Sequence, residues 1–231
     1  MTWERVTPAD FQRADGSGDW RTMYWGANAF FVADSYQQGA GFVASIARIA
    51  AASAHDPDVD LRREGVAVKL ITREARDLST RDVEVARQIS AAARALGLRA
   101  DPARLQVVQT ALASVPSAEV TRFWLAALGY VRQGPSHLVD PLRRNPSFFL
   151  QDEMDPAKPG RGRMHVDVCV PHDQVQARIS AVLATGGRMA DDSAAPEWWT
   201  LADAENHGVD IVSVIGRDST RLEEIGEAHR S

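Results

Sequence analysis

The residues of this chain best suited to proton chemistry begin at His55-Asp56-Pro57-Asp58, with Arg73 and Asp82 following further along. Histidine changes charge near neutral pH, so a histidine among carboxylates is the first place to look for acid–base work. Taken alone, each residue also has a plain structural reading. A His-Asp-Pro triplet at a helix end is a stop signal. Asp82 stands three residues after Ser79, which makes it a helix-cap acid. Arg73 reads either as a solvated strand-end charge or as the contact for an anion. Trp198 and Trp199 either line a pocket or bracket a core strand.

The elements that must hold these residues follow from local pattern. Asp15-Gly16-Ser17-Gly18 marks a turn. Trp20–Trp25 and Asn28–Val32 read as strands. From Tyr36 to Ala54 an alanine-rich helix places Val43, Ile46, Ala47 and Ala50 on one face, and Pro57 stops it. Gly65–Thr72 is a strand. Ser79 caps a second helix that buries Val83, Ala86, Ile89, Ala93 and Leu96. Leu105–Leu112 then starts a new series: a helix over Ser117–Leu128 with Val120, Phe123, Trp124 and Leu128 inward, then strands at His137–Val139 and Ser147–Gln151. A Pro/Gly connector covers 156–162. Met164–Val170 is a strand, Asp173–Ala184 a helix, and Thr200–Leu201 and Val209–Ile215 are strands. Asn206-His207 forms the turn before the last strand. The tail after Arg217 is charged. A β-α-β-β-β order occurs twice, which suits a paired-module domain. The fold class expected is α+β, with domains over residues 1–100 and 101–231.

Composition limits the function classes. The 231 residues are 45% hydrophobic and 25% charged, with a net charge of -5 spread along the chain. This pattern does not suggest a nucleic-acid partner, and no apolar run approaches the ~20 residues of a bilayer span. The N-terminus lacks a signal-peptide layout. The single cysteine, Cys169, excludes a disulfide framework within one chain. The expectation is a cytoplasmic protein.

From about Trp20 to Leu96 the chain resembles pterin-4a-carbinolamine dehydratases. The resemblance rests on the helix running into His55-Asp56-Pro57-Asp58, the strand Val66–Thr72, and Leu78-Ser79-Thr80-Arg81-Asp82. It implies metal-free, cofactor-free removal of water from 4a-hydroxytetrahydropterin, with histidines as acid and base. This chain keeps the first histidine as His55 and the proline as Pro57, and it retains Asp82. The second histidine is replaced by Asp56 and the third by Arg73. A guanidinium is always charged and cannot serve as a base. An exposed carboxylate, with a pKa of about 3.9, is a poor acid. The resemblance implies catalytic positions at His55, Asp56, Arg73 and Asp82, with Pro57 at the substrate.

Residues from about Leu105 to Gly216 resemble glyoxalase-like members of the vicinal oxygen chelate superfamily. The matching stretches are Val107–Leu112, Phe123-Trp124, Leu128-Gly129, Arg163–Val168 and Leu201–Asn206. The resemblance implies a cavity touched by Gln109, His165 and Trp199. In metal-using members four strands supply ligands, and the matching positions here are Gln109, Gln151, His165 and Asp210. Two glutamines would leave Asp210 as the one charged ligand, so weak metal affinity is expected and no cofactor or metal is favoured.

Three functions follow. The first is a lyase-type enzyme that uses a degenerate dehydratase site on a small substrate, to which Arg73 offers an anion contact. The second is a genuine 4a-hydroxytetrahydrobiopterin dehydratase. The third is a non-catalytic ligand-binding or resistance protein that uses the glyoxalase-like cavity. Both resemblances imply a homodimer or homotetramer.

Overall fold

The computed structural model describes residues 3–113, 118, 121, 124, 125, 128–151, 164–202 and 208–215. The chain divides into two compact units. One comprises Met1–Gln106, Val170–Gln174 and Val214–Arg217; the other comprises Val107–Cys169, Val175–Ser213 and Asp218–Ser231. Both mix helices with sheet, giving an α+β fold.

The first unit begins with a short helix, α1 (Pro8–Arg13), which the sequence pattern did not announce. Thr7 caps it, accepting from Asp10 N–H, and Pro8 opens it. Strands β1 (Arg21–Met23), β2 (Gly26–Val32), β3 (Asp58–Arg62) and β4 (Gly65–Leu70) form an antiparallel sheet in the order β1-β2-β4-β3, and β5 (Arg99–Ala100) adds to β2. Two helices, α2 (Tyr36–Ser53) and α3 (Thr80–Ala95), pack on it. Their shared core holds Phe11, Trp20, Phe31, Phe42, Ile46 and Ile89. Trp20 stands edge-on to Phe31, and Phe31 edge-on to Phe42. The Trp20 indole N–H donates to the Ser90 hydroxyl at 3.0 Å, so the buried polar end of that ring is satisfied. Two expected core positions turn outward: Ala47 is exposed and Leu96 is 40% exposed. Gly39 and Phe42 fill the α2 face instead.

Helix α2 ends before Pro57 acts. Ala54 takes a left-handed conformation (φ +49°), and its N–H closes on Ala50 O. The chain then enters β3, whose five residues Asp-Val-Asp-Leu-Arg alternate charge with apolar side chains.

The second unit is an eight-stranded sheet built from two like halves. β6 (Val107–Ala113) pairs parallel with β9 (Ser147–Gln151), which continues to β8 (His137–Val139) and β7 (Val131–Gln133). β10 (Met164–Cys169) pairs parallel with β13 (Gly208–Val212), which continues to β12 (Trp198–Ala202) and β11 (Arg188–Asp191). The halves join through the antiparallel pair β6–β10. This is the doubled β-α-β-β-β arrangement read from sequence. Leu138, Phe148 and Leu150 form a cluster against Trp124, Leu125, Leu112 and Tyr130. Of the expected inward helix residues, Trp124 packs as anticipated and Leu128 is exposed, while Val120 and Phe123 lie outside the described residues. The connector over 156–162, the Asn206-His207 turn and the tail after Arg217 also lie outside them.

No helix among the described residues is long and apolar enough to cross a membrane.

Candidate functional site

In the first unit, three elements converge on Asp82. Ser79 is the N-cap of α3, and Asp82 completes a capping box with it: Ser79 N–H donates to Asp82 Oδ2 at 2.8 Å. Thr72, two residues past the end of β4, donates its hydroxyl to the same oxygen at 2.7 Å. His55, just past the end of α2, places Nε2 2.7 Å from Asp82 Oδ1. His55 is 5% exposed, and Thr72, Ser79 and Asp82 are fully buried. Asp82 thus accepts from the Ser79 N–H and the Thr72 hydroxyl as well as facing His55. With Nε2 as the donor to Asp82, the neutral His55 ring keeps its lone pair on Nδ1.

The other expected residues of this half are placed differently. Asp56 is exposed and Pro57 half-buried. Arg73 is half exposed and reaches Asp58 Oδ1 at 3.1 Å, forming an ion pair with a residue the sequence had assigned to a helix stop. The structure thus joins His55 to Asp82 and pairs Arg73 with Asp58. The Ser79–Asp82 cap is the one expected from sequence, and Thr72 is the unanticipated member of the His55 network. The readable signal was the side-chain chemistry around Asp82: hydroxyls flanking a buried acid.

In the second unit, cross-strand register sets a polar row. Ser147, Gln109, Asp167, Asp210 and Thr200 are successive partners across β9, β6, β10, β13 and β12. Ser147 donates to Gln109 Oε1 (2.9 Å), Gln109 Nε2 donates to Asp167 Oδ2 (3.1 Å), and Thr200 donates to Asp210 Oδ1 (2.6 Å). His165, two residues before Asp167 and so on the same face, lies between the two acids. Its Nε2 is 3.2 Å from Asp167 Oδ1 and 3.5 Å from Asp210 Oδ2. Among the described residues Asp167 Oδ1 is buried and accepts no well-aligned hydrogen bond; its near neighbour is His165, with which it forms an ion pair when that ring is protonated.

The charges move the titrations. The nearby Asp167 carboxylate raises His165 above its ordinary value, with help from Asp210 and against the ring's own burial. Burial raises Asp210, partly offset by the Thr200 hydroxyl and by His165.

Residues 5–92 match the family model described as pterin 4 alpha carbinolamine dehydratase, and residues 109–212 match the glyoxalase-like domain. The chain is a fusion of these two kinds of domain. No curated protein matches it. Among solved structures, a transcriptional coactivator/pterin dehydratase from Brucella melitensis is 23% identical, covering 39% of this chain and 99% of its own (TM-score 0.35). A protein described as an NAD-dependent benzaldehyde dehydrogenase from Legionella pneumophila is 14% identical, over 46% of this chain and 98% of its own (TM-score 0.35). A glyoxalase/bleomycin resistance protein/dioxygenase superfamily member from Vibrio splendidus 12B01 is 13% identical, over 47% and 99% (TM-score 0.32).

Within the glyoxalase-like domain, the donor set differs from the one expected. His165, Asp167 and Asp210 each offer a ligand atom, all within 4.8 Å of one another. One imidazole and two carboxylates fit a divalent cation such as Zn²⁺, Mn²⁺ or Fe²⁺. Asp167 supplies a second negative charge that the sequence match did not count. Its signal was the His-x-Asp spacing on one strand. Gln109 has its amide oxygen engaged by Ser147. Gln151 pairs with Ala113, four residues along β9 from Ser147 and so about 13 Å from the polar row. Trp199 pairs with Ile211 on the opposite sheet face, and Trp198 takes the cluster's face.

Proposed function

We propose that the dehydratase-like domain is a lyase-type enzyme that eliminates water from a small molecule by metal-free proton transfer through His55. The hydrogen bond between His55 and buried Asp82 carries this reading, because it fixes the tautomer and leaves Nδ1 as base. In a carbinolamine substrate, Nδ1 takes the proton from the ring nitrogen as the C=N bond forms and the C–O bond breaks. The same proton passes to the departing hydroxyl, which leaves as water. Asp82 stabilises the intervening imidazolium. Arg73, half exposed beside Asp58, offers a guanidinium to an anionic group of the substrate. With Asp56 and Arg73 in place of histidines, the substrate is not the 4a-hydroxypterin of the family. The protein is taken to work as a homodimer or homotetramer in the cytoplasm; a monomer in light scattering at micromolar concentration contradicts the assembly.

The test is restoration. Wild type is expected to leave 4a-hydroxytetrahydropterin dehydration at its spontaneous rate. The double variant Asp56→His/Arg73→His is expected to raise it by about 10²-fold or more, the scale of one positioned acid–base group. Adding His55→Ala to that variant should return it to background. A folded double variant without activity overturns the reading. Acceleration by wild type makes the protein a genuine dehydratase instead.

A second reading concerns the glyoxalase-like domain, favoured by the convergence of His165, Asp167 and Asp210, in which the buried Asp167 Oδ1 accepts no hydrogen bond among the described residues. These three residues would hold a divalent cation, which supplies Lewis acidity to a bound oxygen ligand. Equilibrium dialysis against Zn²⁺ and Mn²⁺ should give one equivalent bound, reduced at least tenfold in affinity by Asp167→Ala. Equal binding by the variant sinks the assignment.

A further inference from the structure

A cavity of about 300 Å³ opens in the first unit where the end of α2 meets the start of α3. Trp3, Ala52 and Val85 give it apolar surface; Arg81, Glu84 and Gln88 give it polar groups. His55 does not line it. Its size is at the lower end for small-molecule pockets, which run from about 300 to 1,000 Å³.

Arg81 is the residue that calls for a ligand. Its side chain is 19% exposed, yet among the described residues its guanidinium makes no hydrogen bond. The nearest carboxylate, Glu74 Oε1, is 3.7 Å away on a side chain that is itself 65% exposed. A guanidinium has five donors in a planar fork, and this partly buried one keeps donors available to a ligand beside its ion pair with Glu74. Glu84 does not engage it: its Oε2 accepts from Arg87 at 2.9 Å and its Oε1 from Gln88 at 2.9 Å. Trp3 offers a flat aromatic wall, and Val85 and Ala52 an apolar floor for a ring.

We infer that this cavity binds a small aromatic carboxylate, with the carboxylate forked by Arg81 and the ring laid against Trp3. The planar guanidinium matches a carboxylate bidentately. The site is independent of the water elimination assigned to His55 and does not share its residues.

Calorimetry on the full chain with benzoate tests this. Benzoate is expected to bind wild type, and benzamide, which lacks the charge, about tenfold more weakly or worse, as befits loss of a charged hydrogen-bonded pair. Arg81→Met should lose a similar factor, and Trp3→Ala should weaken binding several-fold. Glu84→Gln should tighten it, because a neighbouring negative charge is removed. His55→Gln should leave it unchanged, which separates failure of this site from failure of the dehydratase reading. Should Arg81→Met not fold, the Trp3→Ala and Glu84→Gln responses decide. No benzoate binding to wild type, or equal binding of benzoate and benzamide, overturns the inference.

Discussion

Asp82 does two jobs with one carboxylate. One oxygen closes the cap of α3 and takes the Thr72 hydroxyl, while the other holds His55. The bare sequence offered helix cap and catalyst as alternatives, and the geometry makes the cap compatible with orienting the histidine. Asp82→Ala strands a buried N–H, a hydroxyl and an imidazole together. The expected loss is about 3 kcal/mol, above the ~1 kcal/mol of an ordinary cap, read from urea unfolding. A loss near 1 kcal/mol would mean that His55 and Thr72 find other partners. His165 makes the complementary case. Its value in the fold lies above the 6.5 of the free side chain. Its contribution to stability is therefore complete below about pH 6.5 and fades as pH rises through the folded value. Asp210, raised above 3.8 by burial, works in the same direction: the folded form binds its proton more tightly, so stability falls as pH rises through that group too. In chelator-treated protein, Asp167→Asn should lower the His165 titration followed by NMR, since Asp167 is the largest cause of the rise. An unchanged titration would show that the 3.2 Å contact does not set it.

Elements were legible wherever local pattern and burial agree. Helices α2 and α3 and strands β2, β4, β9 and β10 have long apolar periodicity, and the structure places them where the pattern does. Strands β3, β7 and β11 were not foreseen. They are sheet members of three to five residues with charged or exposed side chains, so pairing rather than hydrophobic pattern defines them. The site was half legible for the same reason. His55 and Asp82 sit on well-patterned elements, whereas Arg73's partner Asp58 begins the unforeseen β3. The hairpin joining β3 to β4 also depends on a single glycine. Gly65 has φ +151°, and a Cβ there would lie 2.2 Å from Phe31 O, inside the β2–β4 ladder. Gly65→Ala should cost at least about 2 kcal/mol, because the neighbour is backbone and the strands must part. Gly41 is the control, on α2 with open space around it. Gly41→Ala should stabilise by about 0.5–1 kcal/mol through helix propensity. Urea unfolding of the two variants should show shifts of opposite sign, and equal shifts would refute the ladder argument.

At the scale of the whole molecule, the chain order does not coincide with the compact units. The first unit takes in Val170–Gln174, a segment that lies between β10 and the helix Val175–Ala184 in sequence. Within that unit Asp173 meets Arg21, with Oδ2 2.6 Å from Nη2 and a second contact to Nε at 3.1 Å. Hydrogen bonding from Arg21 holds the Asp173 carboxyl below its ordinary value. Its contribution is therefore present above about pH 4 and lost as pH falls through the folded value. The Asp173 side chain is 38% exposed, so solvent screens the pair and its worth is about 1 kcal/mol or less. A fragment ending at Gln106 lacks this partner. It should melt a few degrees below the same unit in the intact chain, since about 1 kcal/mol moves a domain of this size by roughly 4–8 °C. Asp173→Asn in the intact chain separates the ion pair from the rest of the truncation. Part of the fragment's deficit should reappear in that variant at neutral pH and vanish in acid, where wild type has lost the pair as well. A variant that melts with wild type at both pH values would leave the segment's place in the first unit to its apolar neighbours, Val170 and Val214, both buried.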